Sequence, residues 1–173
     1  MLGLCGLCGL RALRIMAGVV FLAGLLAGCE GVVTGTEIAR VPLQAAEGSA
    51  GGAAGSYAPV KFALSPEMNP VAFNFRAEFT QQPAEYGKWN SYRATLTKDG
   101  TVIATRSFNV NHPAAAGLDS SPPPPNSAIH TLFYVDVQSA GEYELTITTV
   151  TPVVVTLNNA QADARRNVQH PPQ

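Results

Sequence analysis

Val71-Ala72-Phe73-Asn74-Phe75-Arg76-Ala77-Glu78-Phe79 decides the fold class. On an extended chain Val71, Phe73, Phe75 and Phe79 fall on one face, while Asn74, Arg76 and Glu78 fall on the other. Successive side chains of a strand point to opposite faces, so this period of two marks a half-buried strand. Wound as a helix, the same stretch would scatter Phe73, Phe75 and Phe79 around the cylinder. Ahead of it, Pro66-Glu67-Met68-Asn69-Pro70 is a turn-forming cluster, and Val60, Phe62 and Leu64 repeat the alternation.

Further along, Trp89 to Thr97 and Thr101 to Val110 form a hairpin about Lys98-Asp99-Gly100. A two-residue Asp-Gly turn would place Leu96 opposite Ile103 and turn Val102, Ala104 and Phe108 away. A three-residue loop with Gly100 left-handed places Leu96 opposite Val102 and Ala94 opposite Ala104. It keeps the larger apolar set on one face and is the expected register. Asn111 to Asn126, with Pro122-Pro123-Pro124-Pro125, reads as an exposed crossover, because four prolines lack four backbone donors. Strands resume at Ile129–Val137 and at Tyr143, Leu145 and Ile147. A strand is expected at Val153–Leu157, ended by Asn158-Asn159, and a last one at 160–168 with Gln161, Asp163 and Arg165 outward.

Seven or eight strands without a convincing helix predict an all-β domain, a two-sheet antiparallel β-sandwich. Gly141-Glu142-Tyr143-Glu144-Leu145-Thr146-Ile147 resembles the Gly-x-Tyr-x-Leu-x-Ile strand of many extracellular sandwich modules. Immunoglobulin-like, fibronectin-like and carbohydrate-binding jelly-roll domains share it, so the resemblance implies the fold class and leaves the topology open.

The first 28 residues read as a targeting segment. Arg11 and Arg14 end its charged part, Ile15 to Leu26 is apolar, and small Ala27 and Gly28 follow. As a helix that apolar run spans only about 18 Å, against a hydrocarbon core of roughly 30 Å. Leu26-Ala27-Gly28-Cys29 resembles the lipobox of bacterial lipoprotein precursors. The resemblance implies that Leu26, Ala27 and Gly28 are recognised by a signal peptidase that cuts before Cys29. Cys29 would then carry the lipid, and two or more acyl chains hold stably in a bilayer. Glu30, where enteric inner-membrane lipoproteins carry Asp, favours the outer membrane. Cys5 and Cys8 leave with the signal, so the mature chain keeps no free thiol for a disulfide, a metal or catalysis.

Residues 29–56 are rich in small side chains, above all Gly48 to Ser56, and read as a flexible tether of roughly 25–30 Å r.m.s. span. The alternative is that Gly31 to Gln44, with Ile38, Val41 and Leu43, adds an edge strand. The sandwich is expected over 57–168, with 169–173 a frayed tail.

Composition narrows the function. The 173 residues are 46% apolar and 13% charged, with net charge −1, whereas ordinary domains carry roughly 25% charged residues. Eleven basic residues at near-neutral balance leave no electrostatic footprint for nucleic acid. His112, His130 and His170 lack zinc spacing, and His112 with Asp119 on a proline-rich loop reads as solvent contact. The Gly-x-Ser-x-Gly elbow is absent, and Glu142 and Glu144 share one strand face, unlike glycosidase carboxylates arranged around a cleft. No metal, cofactor or catalytic constellation is therefore expected. Tyr86-Gly87-Lys88-Trp89-Asn90-Ser91-Tyr92 concentrates rings and amides, so Tyr86, Trp89 and Asn90 are the candidate ligand contacts. The expected function is a lipid-anchored envelope protein whose non-catalytic sandwich holds a protein partner. A glycan-binding module is the alternative, and a hydrolase the third reading.

Overall fold

The computed structural model describes residues 34–46, 55–80, 82–113 and 126–169. Leu26, Ala27, Gly28, Cys29, Asp119, the four prolines at 122–125 and His170 lie outside them. Eight strands carry the fold: β1 (Thr36–Pro42), β2 (Val60–Leu64), β3 (Val71–Phe79), β4 (Trp89–Lys98), β5 (Thr101–Asn111), β6 (Ser127–Val135), β7 (Gly141–Thr149) and β8 (Leu157–Arg166). They form two four-stranded sheets, ordered β1-β8-β3-β6 and β2-β7-β4-β5, with every pairing antiparallel. This is the two-sheet sandwich that the alternation predicts. Its pairing follows one rule: β1 lies on β8, β2 on β7, β3 on β6 and β4 on β5. The chain is an antiparallel ribbon folded back at the β4–β5 turn, then wrapped so that β8 also meets β3 and β7 also meets β4. Wrapping of this kind is the jelly roll.

Between the sheets lies an aromatic core. Phe73 of β3 meets Phe62 of β2 edge-on at 5.3 Å, and Phe75 and Tyr92 both pack on Phe108. Each large side chain buried in this way contributes about 1.5–3 kcal/mol. The first half of β3 is buried on both faces, with Ala72 and Asn74 covered on the outer one. Asn74 donates to the fully buried Asp163 at 2.9 Å and accepts from the Thr131 hydroxyl at 2.8 Å, while Arg76 pairs with the same carboxylate. Asp163 is therefore covered and paired, not the solvent-facing residue that alternation predicts. On the open flank Arg106 donates to the carbonyls of Thr131 and Leu132, joining β5 to the bulge in β6.

Three local expectations are corrected. The stretch read as a tether contains β1, and its carboxyl end continues into Leu43, whose amide donates to the Ala160 carbonyl. Ala45 bridges Tyr57, and the domain begins by Thr34 instead of Tyr57. At the other terminus the Gln169 amide donates to the Thr34 hydroxyl at 2.9 Å, so the first residue of the expected tail is held. The β4–β5 hairpin uses the two-residue turn, with Asp99 and Gly100 both at positive φ as a type I′ turn requires. A bulge at Ile103 restores the apolar face, pairing Thr97 with Val102 and Leu96 with Ala104.

Third, Val153–Thr156 is not a strand, and β8 runs through Asn158-Asn159. Side chains satisfy four backbone groups of this stretch, and the Thr156 carbonyl accepts from the Thr80 amide. Asn90 Oδ1 accepts from the Val154 and Val155 amides, Asn90 Nδ2 donates to the Val155 carbonyl, and Glu85 accepts from the Thr156 amide.

Registers sort the connections into two ends. Thr36 lies opposite Arg166, Ala72 opposite Arg165, Leu64 opposite Gly141 and Tyr143 opposite Lys98. The amino-terminal junction at Thr34 therefore shares its end with the β2–β3, β4–β5 and β6–β7 connections. The β1–β2, β3–β4, β5–β6 and β7–β8 connections occupy the other end.

Candidate functional site

Trp89 opens β4 at the end opposite Thr34. Along β4 the buried residues are Asn90, Tyr92, Ala94 and Leu96, so parity sends Trp89 outward. Its indole is 54% exposed, and Val150 and Val154 of the β7–β8 connection are 52% and 48% exposed. Lys88, Trp89, Thr151, Pro152 and Val154 line a shallow depression of about 430 Å³ there. Its walls are mainly aliphatic and aromatic, with Thr151 the hydroxyl and Lys88 the charged member.

The segment presenting these valines is held firmly. The Val150 amide donates to the Ser91 carbonyl at 2.9 Å, and Val155 is buried in the core. Asn90, fully buried, makes four hydrogen bonds: two accepted from Val154 and Val155 at 2.9 Å, and two donated to the Val155 carbonyl at 2.7 Å and the Tyr92 hydroxyl at 3.1 Å. One turn away, Glu85 Oε2 accepts from the Thr156 amide and the Thr80 hydroxyl, and Oε1 from the Thr156 hydroxyl. Burial alone would raise the Glu85 pKa. The Thr156 amide and hydroxyl, the Thr80 hydroxyl and the nearby His112 outweigh it, so the carboxyl titrates below its usual range.

Of the three candidate contacts, the structure displays one. Trp89 faces solvent, Tyr86 is half-buried with its ring 4.9 Å from the His112 ring, and Asn90 points inward as a structural side chain. The inward turn of Asn90 was readable in the sequence, for it shares parity with Tyr92, Ala94 and Leu96. Val150, Pro152 and Val154 carried no such signal, because they belong to an apolar run that resembles a strand. His112 is also corrected. It is buried between Phe79 and Tyr86, each ring nitrogen facing a carbonyl oxygen, of Pro113 at 3.0 Å and Thr80 at 2.9 Å.

Elsewhere, Glu142 forms an exposed ion pair with Lys61 at 2.9 Å, and with Glu144 it borders a second, open depression beside the Asp99-Gly100 turn. Exposed pairs of this kind contribute about 0–1 kcal/mol. His130 packs on Phe108 at 5.8 Å, and burial, with Arg106 nearby, lowers its pKa. Among the described residues no three His, Cys, Asp or Glu side chains gather as a metal site, and no helix is long and apolar enough to cross a membrane. What the Trp89 face offers is apolar contact at a fixed shape. No protein-family model matches the chain, and a search of curated proteins finds no match.

Proposed function

We propose that this chain is a lipid-anchored protein of the bacterial envelope whose jelly roll holds a protein partner, without catalysis, through the Trp89–Pro152–Val154 face. The observation that carries the reading is the display of one indole and two valines on a segment pinned by Asn90 and Glu85. Rigid aromatic anchors with aliphatic neighbours are what protein interfaces bury at their centres. The lipobox resemblance at Leu26 to Cys29 supplies the membrane attachment, and Glu30 favours the outer membrane. The face lies at the end opposite Thr34, where a partner can reach it past the anchor.

A glycan module is the second reading, favoured by the exposed indole, on which a sugar ring can stack. Against it, the Asn90 amide is committed to Val155 and Tyr92, and the lining holds no carboxamide or carboxylate to take hydroxyls. A photo-crosslinker at Val154 in intact cells tests the proposal. A discrete protein adduct is expected there, lost on Trp89→Ala and absent with the crosslinker at exposed Thr105. Equal labelling at both positions refutes it. Quenching of Trp89 fluorescence by oligosaccharides, with no adduct, transfers the face to the glycan reading.

A further inference from the structure

Val102 and Ile103 are 58% and 45% exposed, side by side on an edge strand next to the Asp99-Gly100 turn. In an unbroken hairpin one of two neighbouring residues faces the core. The bulge at Ile103 leaves both outside, so two β-branched aliphatic side chains stand in water beside open strand backbone. Natural sheets guard such edges with charge, proline or a covering element. Here the flanking residues are Thr101 and Ala104.

The registers place this tip at the same end as Thr34. There the chain is clamped. Arg165 donates to the carbonyls of Thr34 and Gly35 at 2.9 and 2.6 Å, and Gly35 sits at φ 79 against the Arg166 carbonyl. Only Glu30, Gly31, Val32 and Val33 separate this clamp from Cys29. Five Cα steps reach at most about 18 Å. The headgroup layer takes up about 5–8 Å of that on each side of the bilayer. A lipid at Cys29 therefore holds this end of the sandwich at the membrane surface, with no room for a second domain between. The flexible tether expected from composition would have set no such constraint.

We infer that the Val102–Ile103 tip is a membrane-docking element that dips into the lipid headgroup region and fixes the orientation of the domain. It rests on the proposed anchor at Cys29 and adds to it a second, non-covalent contact. Lys98, next to the turn, keeps its ammonium on the Ser139 and Ala140 carbonyls and the Ser139 hydroxyl, bracing this end of the sandwich. With this end down, the Trp89 face points away from the bilayer.

The test uses the full chain, processed and acylated in cells and reconstituted in vesicles of phosphatidylethanolamine and phosphatidylglycerol. Ile103→Cys or Val154→Cys supplies the free thiol for a polarity-sensitive dye, both positions being exposed and outside the core. The expected result is a blue-shifted dye at 103, quenched by nitroxide-bearing lipids several-fold more than the dye at 154. A glycine–serine insert after Val33 should reduce the difference. Equal quenching at both positions, with a fatty-acid label retained on Cys29, overturns the docking and leaves the anchor standing. Absence of that label overturns the anchor, and the docking with it.

Discussion

Asn90→Ala is the sharpest perturbation available, because one carboxamide stands in for a strand partner along the β7–β8 connection. It removes four hydrogen bonds from a fully buried site. The Val154 amide borders an exposed residue and can turn to water. Val155 is fully buried, so its amide and carbonyl stay unpaired unless the segment moves. Two buried backbone groups left without partners, at about 1–2 kcal/mol each, give a loss of about 3 kcal/mol. Typical domains hold about 5–15 kcal/mol in all, so the variant should fold but melt at least several degrees lower. Urea unfolding of the chain from Glu30 onward measures this, with Trp89, the one tryptophan of the sequence, as a reporter. Amide exchange at Val154 and Val155 should accelerate, and the Val154 crosslink should weaken although Trp89 is untouched. A stability change under about 0.5 kcal/mol, the range of an ordinary surface substitution, would refute the assignment of Asn90 as the holder of this segment.

Gly35→Ala should destabilise by at least ~1 kcal/mol, the cost of a left-handed backbone with a Cβ. The added carbon would also sit 2.4 Å from the Arg166 carbonyl oxygen, and an unchanged melting temperature would contradict the clamp. Tyr57→Phe should be close to neutral, since its buried hydroxyl makes no hydrogen bond of good geometry and has only the Tyr92 hydroxyl, itself held by Asn90, beside it. A clear loss in thermal unfolding would show that hydroxyl to be satisfied. Acid should act in two steps. The lowered pKa of His130 means the unfolded chain binds its proton first, so that contribution is full above about pH 6.5 and is lost as pH falls from there toward the folded value. Glu85, also lowered, contributes above about pH 4.3 and loses its share below it as the carboxyl protonates. His130→Gln should flatten the upper step alone in unfolding measured across pH.

Wherever burial alternates along the chain, the elements were legible. Phe73 and Phe75 announce β3, and Tyr143, Leu145 and Ile147 announce β7, because each inward side chain enters the core. β1 lacked that signature, since an edge strand flanking β8 leaves its own residues exposed or half-buried and needs few large apolar groups. Val153-Val154-Val155 misled for the opposite reason. Its β-propensity is high, but its backbone partners are side chains of Asn90 and Glu85, more than sixty positions away, and no local pattern records them. On the exposed face Trp89 could be read and the valines beside it could not, because their display depends on those same distant side chains. The hairpin register failed on the bulge, which conserves the apolar face with either turn.

The pairing of β1 with β8 carries a consequence for biogenesis. Thr34 bonds to Gln169, so the start of β1 waits for a residue 135 positions later before its sheet can close. Contacts so distant along the chain make folding slow and leave no stable amino-terminal half. For the exported lipoprotein proposed above, that order of events keeps the chain threadable until its carboxyl end has been delivered.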